Sequence, residues 1–230
     1  MAELLWKYME ERLQQKGYLP VDQRHGPVIT LSREAGCSAN PIARALLKLI
    51  QHERPEKEKQ WKIVNKEIVH EAARELEISP DKITYVFKAE ERKLLDEMLA
   101  ALTSRYYKSD QRIRKTITGV IRRIIDDGYV IMVGRGGVAF TRGKTNALNV
   151  FLQAPLDWRI RNVSEKYRIP YEKAAVMVAA TDKERKLLTE HFQGKKVDPC
   201  IYDVVINASS FSIEQTAALL HQMAKAKSLI

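Results

Sequence analysis

The sequence predicts an α/β fold, a doubly wound parallel sheet of five strands with a helical insertion and lid helices. Short apolar runs alternate along the chain with longer stretches in which apolar residues recur every three or four positions, the patterns of strands and helices. The runs YVIMVG and ALNVFLQA are continuously apolar, as is typical of strands covered on both faces. Because parallel neighbours need a crossover, helices are expected between the strands along the chain.

The first half of the chain is predicted to supply two strands, VITL (28–31) and WKIV (61–64). A helix is expected from about Pro41, since a proline in the first helical turn loses no hydrogen bond. Another helix is expected after the second strand, with Asn65 as its N-cap. An amphipathic helix over residues 3–16 precedes these elements.

The second half of the chain is predicted to supply the insertion and three more strands. Residues 79–127 are expected to be wholly helical, and Gly128 ends that region as a C-terminal glycine does. YVIMVG, ALNVFLQA and YDVVINAS are the remaining strands, with helices from near Pro155, over about 171–192 and after Ser212. Since ligands bind at the carboxyl ends of strands in open sheets, the turns after VITL, YVIMVG and VFLQA are candidate sites.

The formal net charge of +10 predicts a polyanionic partner or substrate, such as nucleic acid, acidic lipid or a nucleoside phosphate. The N-terminal stretch is interrupted by charges and is not expected to be a signal peptide, and no apolar run has the length of a membrane span. Cys37 and Cys200 form no disulfide framework, so a cytoplasmic location is expected. The five histidines lack metal-ligand spacing, and no metal site is predicted.

The stretch SREAGCSANP follows the first strand and opens a helix, which is the setting of a phosphate-binding loop. In the full signature of such loops, a lysine reaches the terminal phosphates and a hydroxyl residue holds magnesium. When the stretch is set against that signature without gaps, Ala39 takes the lysine position and Pro41 the hydroxyl position. Considered alone, the turn is explained better as an ordinary strand–helix connection.

Four stretches in the same order resemble the cytidylate kinase-like family, a branch of the P-loop nucleoside monophosphate kinases. VITLSREAGCSANPIARALL resembles its first strand and loop, and YVIMVGRGGVAF its glycine–arginine–glycine turn. NVFLQAPLDWRIRNV resembles its fourth strand with an arginine-bearing helix, and ATDKERKLL its lid motif. The resemblance implies a kinase-like domain over 25–230, with an insertion at about 79–127, a lid at about 159–195 and a helical extension at 1–24.

The resemblance also implies roles for individual residues. The backbone that cradles the phosphates of ATP would be that of Gly36, Cys37, Ser38, Ala39 and Asn40. Arg33 and Arg135 would bind the acceptor. Arg159, Asp182 and Arg185 would close over the transferring phosphoryl group, while Mg²⁺ bridges the ATP phosphates. Positive charge and positioning are the main needs of phosphoryl transfer, so these residue types suit the reaction.

Several of these side chains have a plainer interpretation. Arg33 is explained equally well by a structural ion pair. Asp182 and Arg185 lie three positions apart on a predicted helix, so an exposed intrahelical pair accounts for them as well. Arg159 and Arg161 lie two positions apart, so at most one of them is expected to reach the site.

The motifs also depart from the family pattern, which leaves three functions open. Ser38, Ala39 and Asn40 stand where relatives carry glycines and an arginine, and Gly136 stands where cytidylate kinases carry an aspartate. The first hypothesis is a kinase acting on a CMP-like nucleoside monophosphate or another small acceptor, with arginines in place of the loop lysine. The second is an inactive sensor of a nucleotide or phospholigand. The third, nucleic-acid binding through the helix RIRKTITGVIRRI, ranks last. A homodimer is possible, and the N-terminal helix is expected to pack either on its own domain or on a second subunit.

Overall fold

The strands of the sheet are β1 Val28–Arg33, β2 Lys62–Val64, β3 Val130–Val133, β4 Ala147–Gln153 and β5 Val204–Asn207. They are ordered β2–β3–β1–β4–β5, and each neighbouring pair is parallel. The central strand β1 pairs Val28 with Val130 on one side and with Ala147 on the other. The predicted five-stranded parallel sheet is confirmed.

The computed structural model describes residues 25–53, 60–65, 67–77 and 104–230. The helix predicted over 3–16 lies outside the described residues, as does the part of the predicted insertion before residue 104. The rest of that insertion is helical, as expected, up to Asp127. The division of the chain into a domain, an insertion and a lid stays a prediction.

Helices connect the strands. Their bounds are α1 Ala39–Glu53, α2 Glu67–Leu76, α3 Ser104–Asp127, α4 Val138–Thr141, α5 Leu156–Tyr167, α6 Tyr171–Gln193 and α7 Ile213–Ala226. Helix α1 begins two residues earlier than predicted, which still leaves Pro41 in its first turn. The short helix α4 was not predicted, because four residues are too few to show helical periodicity.

Helices α1 and α7 pack against one face of the sheet, where Leu46 and Leu220 join Leu31 and Val150 in one buried cluster. The opposite face is covered by α3 and α6, whose apolar side chains bury Met132 of β3 in a second cluster. Successive strand residues point to opposite faces, so a strand between two helical layers must be apolar throughout. This explains the continuous apolar runs from which the sheet was predicted.

The helix ends follow the signals in the sequence. Gly128 has a φ of +68° and its N–H bonds the carbonyl of Ile124, which ends α3. Ser212 caps α7 through a capping box, in which its hydroxyl accepts from Gln215 N–H and the Gln215 side chain accepts from Ser212 N–H. Within the described ranges, no helix has the length and apolar character required to cross a bilayer.

Candidate active site

A cleft of ≈ 680 Å³ opens at the carboxyl ends of the strands, between the sheet and α6. Arg33 and Glu34 line it from the end of β1, and Arg135 lines it from the turn after β3. Asp182 and Arg185 line it from α6. Phe151 and Gln153 of β4 also line the cleft, which therefore brings together residues from all four motifs at strand ends where the sequence predicts ligand binding.

The turn after β3 presents Arg135 to the cleft. Gly134, Arg135 and Gly136 have φ angles of +71°, +56° and +67°, three consecutive left-handed residues that favour glycine. The Nε of Arg135 donates to the carbonyl oxygen of Asn65 at 3.3 Å, which ties this turn to the end of β2. The guanidinium of Arg33 occupies the space that a side chain at position 134 would need. The glycines thus let two arginines approach each other.

Arg33, Arg135 and Arg185 form a cluster of like charge, which we call the arginine cluster. The Nη1 of Arg185 donates to the backbone carbonyl of Arg33 at 3.0 Å. Burial, with repulsion from Arg185 and Arg135, lowers the pKa of Arg33 to about 9. Burial also lowers the pKa of Arg185. Asp182 and Glu184 partly offset the effect at Arg185, whereas the charges that shift the pKa of Arg33 are the two neighbouring arginines, so an anion bound beside Arg33 would be stabilised.

Arg159 has a different environment, since it is 6% exposed at the start of α5. Its Nε lies 3.2 Å from Glu34 Oε2, and its Nη1 donates to Asp182 Oδ2 at 2.6 Å. Arg161 points to solvent and pairs with Asp157 on the same helix. The expectation that only one of the two arginines points inward therefore agrees with the structure, and that arginine is held by two carboxylates.

The predicted phosphate loop packs closely against α5. Gly36 has a φ of +88°, and a Cβ at this position would lie 2.6 Å from the carbonyl oxygen of Arg159. Asn40 accepts a hydrogen bond from the side chain of Asn65. The five residues predicted to cradle the phosphates are not among those that line the cleft. Burial raises the pKa of Cys37 to about 11, so this thiol is protonated at neutral pH.

Asp182 connects helix α6 to this loop. Its Oδ1 accepts the backbone N–H of Ala35 at 2.6 Å, and its Oδ2 accepts from Arg159. Both carboxylate oxygens are therefore engaged with residues far away in the sequence. The sequence spacing also allowed an intrahelical pair of Asp182 with Arg185, but that pair is not one of these contacts.

Sequence reasoning missed the contribution of Glu34 and the apolar wall of the cleft. Glu34 Oε2 accepts the N–H of Ala154 at 3.1 Å in addition to pairing with Arg159, so it joins β1 to the end of β4. The rings of Phe151 and Tyr202, which both line the cleft, pack 4.9 Å apart. The position of Glu34 beside Arg33 at the end of a strand was the signal in the sequence that could have identified it. No sequence pattern pairs Phe151 with Tyr202.

The sheet order and the arginine-lined cleft at the strand ends together define an α/β protein with a kinase-like fold. The model of the cytidylate kinase-like family matches residues 28–210, and the chain belongs to this family. The resemblance seen in the four motifs is thereby confirmed. No match was found among curated proteins.

Comparison with solved structures finds likenesses at low identity. An uncharacterized protein from Eubacterium ventriosum ATCC 27560 has 18% identity and a TM-score of 0.61, with 87% of this chain and 99% of that one covered. A shikimate kinase from Acinetobacter baumannii, solved in complex with shikimate, has 13% identity and a TM-score of 0.49, with 90% and 97% covered. At these identities the likeness concerns the fold alone.

Replacing Arg33 with methionine is expected to stabilise the ligand-free protein by about 1 kcal/mol at pH 7, because it removes a partly buried charge that has no acidic partner among the described residues. The folded-state pKa is lowered to about 9, so the destabilisation is complete below pH 9 and is relieved as the pH rises above it. The advantage of Arg33→Met over the wild type should therefore shrink at pH 10.

Urea denaturation at pH 7 and pH 10 measures this difference. Arg44→Met is the control, because Arg44 is exposed on α1, and it should change the free energy of unfolding by less than about 0.5 kcal/mol. If Arg33→Met is less stable than the wild type at pH 7, the guanidinium contributes favourable interactions and the prediction is wrong.

Proposed function

We propose that the protein is an ATP-dependent phosphotransferase whose acceptor is a CMP-like nucleoside monophosphate or another small anionic molecule. The observation that carries this proposal is the arginine cluster, in which burial and mutual repulsion lower the pKa of Arg33. A bound phosphate would offset that repulsion, and phosphoryl transfer depends mainly on positive charge and positioning. Membership of the cytidylate kinase-like family supports the use of a nucleotide together with a metal ion.

Within this proposal, Arg33 and Arg135 bind the anionic group of the acceptor, and Arg185 contacts the transferring phosphoryl group. Arg185 is suited to that position because it projects from the lid helix into the same cleft. Direct contacts of Arg159 and Asp182 with the phosphoryl group stay a prediction of the family resemblance. In the structure these two residues bind each other.

The loop from Gly36 to Asn40 is proposed to receive the ATP phosphates through backbone N–H groups, since Ala39 and Pro41 supply neither a cation nor a hydroxyl. Arg33 would supply part of the missing positive charge. Among the described residues, no three acidic, histidine or cysteine side chains are arranged to hold a metal ion. Mg²⁺ would then be bound largely by the substrate phosphates, as is usual for this ion.

A second candidate is an inactive sensor that binds a nucleotide or phospholigand without transferring a phosphoryl group. Two observations favour it: Ala39 replaces the loop lysine, and the Asp182 carboxylate already bonds the loop at Ala35. Nucleic-acid binding through α3 has less support, because Arg123 of that helix pairs with Glu75. A homodimer and a cytoplasmic location stay predictions.

An activity assay separates the kinase from the sensor. The full-length protein is mixed with ATP, Mg²⁺ and each of a panel of nucleoside monophosphates and shikimate, and the release of ADP is measured. We expect one acceptor to raise ADP release at least about tenfold over the rate without acceptor. If no acceptor raises ADP release while ATP still raises the melting temperature, the kinase proposal fails and the sensor is favoured.

Arg135→Ala tests the acceptor assignment, with Arg142→Ala, an exposed arginine at the end of α4, as the control. We expect Arg135→Ala to weaken acceptor binding by about 10- to 100-fold, the effect of a lost charge-assisted contact, with ATP affinity unchanged. Arg142→Ala should match the wild type in both. Calorimetric titration with each ligand measures the two affinities, and equal acceptor affinities for the wild type and Arg135→Ala would refute the assignment.

A further inference from the structure

The carboxylate of Asp182 is bound as an anion by groups outside its own helix. Its two oxygens accept from Ala35 N–H and from Arg159 Nη1, each at 2.6 Å. Arg159 is almost fully buried and also pairs with Glu34, so its guanidinium is held in place. We call these interactions of Asp182 with Ala35 and Arg159 the lid–loop contact.

The lid–loop contact presents two donors that suit a phosphate oxygen. A backbone N–H and a guanidinium directed at one point bind carboxylates and phosphates through the same charge-assisted hydrogen bonds. Ala35 directly precedes Gly36, where the predicted phosphate-binding backbone begins. Asp182 therefore occupies donors at the edge of the loop that is proposed to receive ATP.

A nucleotide phosphate and the Asp182 carboxylate cannot share these donors without repulsion. Two negative charges about 4 Å apart repel each other appreciably at a partly exposed site. The carboxylate must move, or the phosphate binds less tightly. Since Asp182 lies on α6, its release from these donors would remove one tie between the lid helix and the loop and leave that of Arg185 to the Arg33 carbonyl.

We propose that Asp182 is an internal competitor for the phosphate loop, which keeps the lid tied to the loop until a polyphosphate displaces it. The proposal rests on the proposed function in one respect, namely that the ligand of the loop is a phosphate. It makes the lid–loop contact a self-inhibiting device.

The family resemblance predicts the opposite effect for a substitution of Asp182. If Asp182 contacts the transferring group or the substrate directly, its loss should weaken ligand binding. If Asp182 competes with the ligand, its neutralisation should strengthen polyphosphate binding. The sign of the change in affinity therefore distinguishes the two roles.

The test compares the full-length wild type with Asp182→Asn and with Asp157→Asn, a control that neutralises an exposed carboxylate of α5 paired with Arg161. Inorganic tripolyphosphate is titrated calorimetrically, since it carries the charges of the nucleotide without its base. We expect Asp182→Asn to bind tripolyphosphate at least about fivefold more tightly than the wild type, because a repelling charge is gone. Asp157→Asn should match the wild type.

Amide hydrogen exchange of the peptide containing Ala35 provides a second readout that needs no ligand. We expect faster exchange there in Asp182→Ala than in the wild type, because the N–H loses its acceptor, with Asp157→Asn unchanged. Circular dichroism checks that each variant is folded. If Asp182→Asn does not fold, Asp182→Ala replaces it in the tripolyphosphate titration.

The outcomes separate this proposal from the proposed function. Equal or weaker tripolyphosphate binding by Asp182→Asn, with measurable binding by the wild type, overturns the competition and leaves the kinase proposal intact. Unchanged amide exchange at Ala35 overturns the lid–loop contact by itself. If no variant binds tripolyphosphate or ATP, the proposed function fails, and the competition fails with it.

Discussion

Replacing Gly36 with alanine is expected to lower the free energy of unfolding by about 3 kcal/mol or more. Two costs add at this position. The φ of +88° is strained for any residue with a side chain. The new Cβ would also lie 2.6 Å from the carbonyl oxygen and 2.8 Å from the Cα of Arg159. Those atoms belong to the backbone of α5, so the contact is relieved only if the loop and the helix separate.

Gly143→Ala is a matched control, because it separates the two costs. Gly143 has a similar φ of +73°, yet a Cβ there would meet no atom within 4 Å. The free energy of unfolding of Gly143→Ala should therefore fall only by the cost of a left-handed backbone, about 1–2 kcal/mol. Thermal and urea denaturation of both variants give the difference, which measures the steric cost between the loop and α5. Equal losses in the two variants would show that the loop tolerates a side chain at Gly36.

The parts of the fold predicted correctly from the sequence depend on local patterns. The strands follow from continuous apolar runs, and the caps at Gly128 and Ser212 follow from residue types with one strong conformational preference. The turn that carries Arg135 follows in the same way from Gly134 and Gly136, whereas the role of Arg135 stays a prediction. Each of these features is determined by residues within a few positions of one another.

The contacts at the loop could not be predicted, because they join residues far apart in the sequence. Asp182 has Arg185 as its nearest helical partner by spacing, but it reaches Ala35 and Arg159 once α6 crosses the loop. Gly36 resembles an ordinary turn glycine until α5 is packed against it. Helical periodicity gives the face on which a side chain lies, and the packing of helices alone determines what that face meets.

Arg159→Ala is expected to lower the free energy of unfolding by about 2–3 kcal/mol, whereas Arg161→Ala should change it by less than about 0.5 kcal/mol. The two arginines lie on one helix and carry the same charge, so they differ mainly in environment. Arg159 has a 7% exposed side chain between Glu34 and Asp182. Arg161 has a 69% exposed side chain and a single surface pair with Asp157. Removing Arg159 leaves two carboxylates near each other without their shared cation.

The expected loss is smaller than that for a fully buried ion pair, because Glu34 and Asp182 are 28% and 27% exposed and keep part of their hydration. Arg159→Lys should recover only part of it, since one ammonium cannot reproduce the separate contacts that the guanidinium makes with Glu34 and Asp182. Urea denaturation at pH 7 compares the three variants. If Arg159→Ala and Arg161→Ala unfold at the same urea concentration, Arg159 does not hold α5, the lid and the loop together.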